Sequence, residues 1–493
     1  MEKLYRRELR AGADVEGSQR RLLADLVRYG RDTLWGRQKG YASIRSYGDY
    51  IRAVGVTPYA DLRPLVMRMV GGEADILVPG RVRRFAQSSG TSDGKSKYIP
   101  VSPRGLSRSH YAGAAFSVAS YLHFHPDSHI FGGKNFILGG SFANELTLPP
   151  GVKVGDLSAT LIDSINPLAN LVRIPDKATA LMADWQTKLP RLVELSAKED
   201  VRSISGVPSW FLTVLKGVMA SRGAASIKEV WPHLEVFFHG GIAFGPYRSQ
   251  YSRITGPDGI RYWENYNASE GFFAAQELPD REPMRLLMDA DSFYEFIPVD
   301  NPSASPIPAW EVMKGEIYAL VVTNSNGLWR YPVGDTVKIE ATDPLTITIA
   351  GRTRHFINAF GEEVMVYNTD AALERACRET GAEVLNYTAA PVYAGDRSRG
   401  RHQWLVEFAK APADLNAFAD RLDRALQAEN SDYQAKRAGG IFLDRLEIIC
   451  APKGLFDRWL ACGGKLGGQR KVPRLSNDRR FIDPMLELMR STK

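Results

Sequence analysis

Residues 87–100, QSSGTSDGKSKYIP, gather Ser88, Ser89, Gly90, Thr91, Ser92 and Gly94 with two lysines in one short segment. Hydroxyls and backbone N–H groups on a chain that glycine makes adaptable can cradle a phosphate, spreading many weak bonds over its charge. The spacing excludes a P-loop. Gly90 and Gly94 enclose three residues before Lys95-Ser96 where a P-loop needs four, and the β-prone KYIPV follows instead of a helix. Taken alone, the segment reads equally as a solvated turn.

Three further segments carry chemistry-bearing groups. In ENYNASEGFF (264–273), Tyr266 offers an aromatic face to a purine, and Ser269-Glu270 end the stretch. The Glu270 carboxylate suits Mg2+, a hard cation that bridges phosphate oxygens; the alternative is a surface acid. In LWRYPVGDTV (328–337), Asp335 follows a glycine in a strand turn, where it can accept from both ribose hydroxyls or cap its own backbone. In GGKLGGQRKVPR (463–474), Lys465, Arg470, Lys471 and Arg474 ride on a glycine-rich loop. Such a lysine can stabilise charge on an α-phosphate or carboxylate; the alternative is a solvated tail segment.

The chain lacks HExxH, CxxC and GxGxxG patterns. His123, His125 and His129 in HFHPDSH read as polar or structural imidazoles, because a loop spacing defines no ligand geometry. Cys377, Cys450 and Cys462 read as buried packing residues.

The elements that must position these groups follow from periodicity. Leu22, Leu23, Leu26 and Val27 mark a helix over 18–30, and a loop-rich region containing VTPYADLRPLVMRMVGGE follows. Short strands over 81–86 and 97–101 flank the first loop, and a helix over 107–121 comes next. NFILGG and LEVFFHGG read as buried strands, ATALMADWQTKLPRLVELSAK and SWFLTVLKGVMAS as helices. From about residue 284 strands follow one another: YEFIPV, EIYALVVT, WRYPVGDTVKIE, TITIAG. The expected fold is α/β. A large multi-layer N-terminal domain with a β-rich portion spans 1–355, and a smaller α+β domain spans 356–493, ordered helix, strand, strand, helix, strand.

At 493 residues, 44% hydrophobic and 24% charged, the chain has the balance of a soluble globular protein. No apolar run is long enough for a membrane span, and MEKLYRRELRAGADVEG lacks a signal-peptide core, so the expectation is cytoplasmic. The net charge of +7 is scattered, which suits an anionic small molecule rather than a nucleic acid.

The order of the motifs is more specific than any one of them. SSGTSDGKSKYIP, YNASEGFF, WRYPVGD, GRTRHFINAFGEE and GGQRKVPR together resemble the acyl-adenylate-forming enzymes related to firefly luciferase. More narrowly, the chain resembles the auxin-responsive Gretchen Hagen acyl-acid amido synthetases in their bacterial form, from about residue 20 to 480. The resemblance implies ATP and Mg2+ as cofactors, a carboxylic acid and an amino acid as substrates, and a monomer with no membrane or nucleic-acid partner. It assigns Ser88, Ser89, Gly90, Thr91 and Ser92 to the phosphate loop. Tyr266, Ser269 and Glu270 match the AMP-contacting motif, with Glu270 on magnesium, and Asp335 matches the ribose-binding aspartate. Arg352–Asn358 matches a hinge, and Lys471 a lysine that reaches the phosphate. The acid pocket is expected near Trp210 and Phe211, with core packing as the alternative for both, and His239 is a candidate base for the amine. Plant members carry Arg where this chain has Pro332. The alternatives are a ligase delivering the acyl group to coenzyme A or a carrier protein, and a non-catalytic nucleotide- or acid-binding protein.

Overall fold

A mixed sheet of twelve strands organises most of the chain. The computed structural model describes residues 1–88, 97–144, 146–241, 244–256, 259–279, 283–352, 356–357, 362, 364–392, 400–430, 433–434, 437, 443–462, 472–476 and 478–491. Two units emerge, Met1–Gly241 with Asp258–Thr348, and Ile242–Pro257 with Ile349–Leu466 and Arg470–Lys493.

In the first unit, Arg173–Ile174, Lys134–Ile137, Val201–Gly206, Val236–Gly240 and Arg261–Ala268 form the parallel half of the sheet. Their apolar runs are buried because helices such as Trp185–Ser196 and Pro208–Arg222 make the crossovers. The latter helix starts on Pro208 and ends at Gly223, whose φ of +63° suits glycine. Seven strands complete the sheet, in the order Gly271–Gln276, Met284–Leu286, Leu345–Arg352, Leu328–Thr342, Ile317–Asn324, Ser292–Pro298 and Ile307–Pro308. The α/β part and the strand-rich part are therefore one continuous sheet. Arg261–Ala268 joins them by pairing parallel with Val236–Gly240 and antiparallel with Gly271–Gln276.

A separate three-stranded sheet, Lys97–Pro100, Arg84–Ser88 and Lys153–Gly155, brackets the first loop, with Ser88 paired to Lys97. The region read as loop-rich contains a helix, Tyr59–Val70, with Pro64 inside it. A proline there costs roughly 3 kcal/mol. Leu62, Val66, Met69 and Val70 sit at helical spacing and are all buried, each worth about 1.5–3 kcal/mol, so packing wins.

In the second unit, Glu383–Val392, Arg401–Lys410 and Glu447–Ala451 form a sheet against helices Val366–Thr380 and Leu415–Glu429. The expected element order is present, and Leu373, Trp404, Val406 and Leu422 are among its core residues. Helices Leu455–Cys462 and Ile482–Ser491 complete it. The cysteines do not pack as expected: Cys377 is half-buried, and Cys450 and Cys462 are exposed. Cys450 faces solvent from the edge strand Glu447–Ala451, and Cys462 ends its helix. Among the described residues, no helix is long and apolar enough to cross a membrane.

Candidate functional site

Two hairpin turns face each other at one end of the antiparallel strands. Ala268 pairs with Gly271 across Ser269-Glu270, and Asn324 pairs with Leu328 across the turn that follows it. The side-chain amides of Asn324 and Asn326 donate to the Glu270 carbonyl at 2.9 and 3.3 Å. From the other side, the Phe272 N–H donates to Ser109 Oγ at 3.0 Å, and His110 Nδ1 lies 3.0 Å from Asn267 Oδ1. Burial lowers the His110 pKa to about 4, so its ring is neutral at pH 7.

Leu328–Thr342 loses register twice against Ile317–Asn324. At the first irregularity Arg330 takes φ +50°, a left-handed conformation that costs a non-glycine residue about 1–2 kcal/mol. It is held there from several sides. Its guanidinium donates to both Glu295 oxygens and to the Val54 carbonyl, and its N–H donates to Thr323 Oγ1. The second irregularity, between Pro332 and Thr336, contains Gly334 at φ +94°. The extra residues there form a bulge, which re-aims Asp335 out of the regular alternation.

The Tyr266 hydroxyl donates to Asp335 Oδ2 at 2.7 Å. Their strands are four steps apart in the sheet order. In a flat sheet, four spacings of about 4.8 Å would separate them by about 19 Å. The sheet therefore curls, bringing Tyr266, Phe273, Tyr294, Tyr331 and Val337 into one core cluster.

Tyr331 links the pieces. Burial, then the charge of Glu270 and the nearby Tyr59 and Asp335, hold its phenol well above the ordinary range. Lys97 Nζ donates to the Tyr331 hydroxyl at 3.1 Å and lies over the Tyr59 and Tyr331 rings. Lys97 is the first described residue after the serine-rich segment 89–96. Tyr266, Ser269, Glu270 and Asp335 are each less than a tenth exposed. Two carboxylates, two phenols and a lysine at a loop exit can take up a polar ligand bearing phosphate and hydroxyl groups, or a hard cation.

Three consecutive stretches of the chain match domains of one family. Residues 9–215 match the GH3 family N-terminal domain, 285–352 its central domain and 367–480 its C-terminal domain. The chain belongs to the GH3 family. It is 22% identical to the "Probable indole-3-acetic acid-amido synthetase GH3.12" of Oryza sativa subsp. japonica, over 95% of this chain and 92% of that protein. The solved structure "AtGH3.15 acyl acid amido synthetase in complex with 2,4-DB" has a TM-score of 0.80 at 17% identity, covering 99% of this chain and 96% of its own. A 2-hydroxyisobutyryl-CoA ligase in the postadenylation state, in complex with 2-HIB-AMP, reaches 0.61 at 15% identity, covering 95% and 91%. The two structures share their fold with this chain.

Within this GH3 chain, the structure brings Tyr266 and Asp335 into direct contact and gathers Glu270 and Asp335 about the Tyr331 phenol. Ser88 contributes its backbone to the strand pair, while Ser89, Gly90, Thr91, Ser92 and Lys471 lie outside the described residues. Trp210 is half-buried at the start of its helix. Phe211 is fully buried and meets Phe136 and Phe237 edge-on, as a core residue does. His239 is buried in its strand beside Phe237 and Tyr262. His123 approaches Glu2 and stacks on Tyr5, while His125 packs against Tyr121 and Trp263. Among the described residues, no cluster of three or more His, Cys, Asp or Glu side chains could hold a metal.

Sequence reasoning missed Tyr331, Ser109, His110, Asn324 and Asn326, and met Lys97 only as one of the two lysines of the first segment. Tyr331 and Lys97 had a signal, since one precedes Val-Gly-Asp by two positions and the other closes the serine-rich loop. The two asparagines resemble ordinary turn residues, and nothing in their spacing distinguishes them.

Proposed function

We propose that this chain, as a bacterial form of the family, is an ATP-dependent acyl-acid amido synthetase. The Tyr266–Asp335 contact beside Glu270, at the exit of loop 89–96, carries the proposal on a chain of this family. In the first half-reaction, a carboxylate oxygen of the acid attacks the α-phosphorus of ATP. The bond to the β-phosphate breaks, and pyrophosphate leaves with its electrons. In the second, an amine nitrogen, taken as that of an amino acid, attacks the acyl carbon. The acyl–phosphate C–O bond breaks, AMP leaves, and the nitrogen loses a proton.

In this reading Asp335, oriented by the Tyr266 hydroxyl, accepts from the ribose hydroxyls. Lys97 and loop residues Ser88, Ser89, Gly90, Thr91 and Ser92 donate to phosphate oxygens. Ser269 belongs to the same AMP-facing turn. Lys471 is taken as a cation for the α-phosphate. Glu270 fits Mg2+ chemically: nucleotide-borne magnesium uses one or two protein carboxylates, the remaining positions going to phosphate and water. When bound, the ion supplies positive charge against the phosphates. Residues 1–355 would bind ATP and acid, and 356–493 would move between half-reactions, in a cytoplasmic monomer. Trp210 and Phe211 are retained as acid-pocket candidates, Trp210 being the partly accessible one.

The shared fold with a CoA ligase favours one second reading, thioester formation. A panel of carboxylic acids screened for pyrophosphate release, followed by amines and coenzyme A side by side, separates the two. An amide product is expected. A thioester with no amide would establish the second reading.

A further inference from the structure

The turn opposite Glu270 is built from NSNG, residues 324–327, and its first three side chains are buried. Asn326 spans two elements. Its Oδ1 accepts the Ser102 N–H at 3.0 Å, and its Nδ2 donates to the Glu270 carbonyl. That pairing fixes the amide's orientation, because an N–H needs an acceptor and a carbonyl needs a donor. Asn326 N–H in turn donates to Asn324 Oδ1 at 3.0 Å, and Asn324 Nδ2 gives the second bond to the same Glu270 carbonyl. Ser325 bonds to Asp291, which Arg104 Nε holds at 3.0 Å.

One carbonyl thus receives two side-chain donors from a turn that is itself tied down. A single donor would satisfy hydrogen bonding; two, from fixed amides, specify a position. Ser102 closes the link to the loop, because it follows the strand Lys97–Pro100 that leaves residues 89–96. The approach is tight enough that a Cβ on Gly105 would overlap the Asn326 amide.

We infer that Asn324 and Asn326 are positioning residues that fix the Glu270 backbone, and through it the carboxylate, relative to the strand Lys97–Pro100. The inference rests on the reading of Glu270 as the ligand of nucleotide-borne Mg2+. A ligating carboxylate depends on the groups that position it, and their loss weakens metal affinity.

The test is ATP binding by calorimetry on the full chain, once with Mg2+ and once with EDTA; the ratio of the two affinities is the magnesium increment. Glu270→Gln is expected to abolish the increment. Asn326→Asp keeps the acceptor for Ser102 and removes the donor. Asn324→Ser keeps an oxygen near the Asn326 N–H. Each is expected to cut the increment about fivefold, one hydrogen bond's worth, with EDTA affinity unchanged. The double variant should cut it further. If Asn326→Asp does not fold, Asn324→Ser and Gly105→Ala, which displaces the Asn326 amide, carry the test. An equal loss with Mg2+ and with EDTA, or an unchanged increment in folded variants, overturns the positioning role. A full increment in Glu270→Gln overturns the reading of Glu270 itself, and the inference with it.

Discussion

Glu295 and Glu270 are both buried carboxylates in the first unit, and they are served differently. Glu295 is matched by a guanidinium: Arg330 donates to both its oxygens, Tyr47 adds a hydroxyl at 2.9 Å, and the Val54 carbonyl takes another Arg330 N–H. That cluster is charge-balanced and closed. Around Tyr331, by contrast, two carboxylates converge on one phenol, and the lysine on that phenol opens the strand leaving a serine-rich loop. A closed ion pair fixes the backbone, here an arginine held at positive φ. In the proposed function, the two carboxylates about Tyr331 are the groups that meet a cation or a ligand's hydrogen-bond donors.

The difference can be broken from either side. Arg330→Ala should be the most damaging change to stability, about 3–5 kcal/mol in urea unfolding, because Glu295 is left buried without its cation. Glu270→Gln should leave the unfolding midpoint nearly unchanged yet lower acid-dependent pyrophosphate exchange by about 10²–10³, the scale of a lost electrostatic contact to the transition state. If the two variants exchanged phenotypes, the contrast would be wrong.

Glu8 sharpens the contrast as a buried carboxylate that accepts backbone N–H groups, from Met288 and Asp289, with no ion pair among the described residues. Burial raises its pKa to about 7, against the pull of those N–H bonds. The folded pKa lies above the ordinary 4.5, so the folded state holds the proton longer than the unfolded chain. Its contribution is therefore complete below pH 4.5 and is lost as pH rises through 7. The loss is at most about 3 kcal/mol at 1.36 kcal/mol per unit. Glu8→Gln should flatten that stretch of the stability profile, measured by urea unfolding at pH 4.5, 6 and 8. An unchanged slope would remove Glu8 as its source.

The smallest effect is expected at Tyr266→Phe, which deletes only the donor to Asp335. About 1.5 kcal/mol for a hydrogen bond to a charged group corresponds to roughly a tenfold rise in the KM for ATP, with kcat little altered. A loss confined to kcat would separate Tyr266 from nucleotide binding.

Much of this contrast was legible in the sequence, but unevenly. The strand ending at Ser269-Glu270 and the strand carrying Asp335 could be read from the aromatic-rich stretch and the Val-Gly-Asp turn. Lys97 meeting Tyr331 and Tyr266 meeting Asp335 could not, because those contacts depend on the curl of a sheet whose strands are far apart in pairing order. The Asn326 contacts depend on the relative placement of two hairpins, which local periodicity does not encode. Pro64 concealed a helix that long-range burial stabilises. The exposed Cys450 and Cys462 show that residue type alone does not report the side of an edge strand or the end of a helix.

The central claim is that this GH3 chain makes an acyl-adenylate and passes the acyl group to an amine. Acid-dependent exchange of labelled pyrophosphate into ATP, followed by mass analysis of product with amino acids present, tests it most directly. The account predicts exchange with at least one acid of a broad aromatic and aliphatic panel, its loss in Glu270→Gln, and an amide with AMP when the amino acid is added. ATP binding without exchange for any acid, or a thioester in place of the amide, would contradict it.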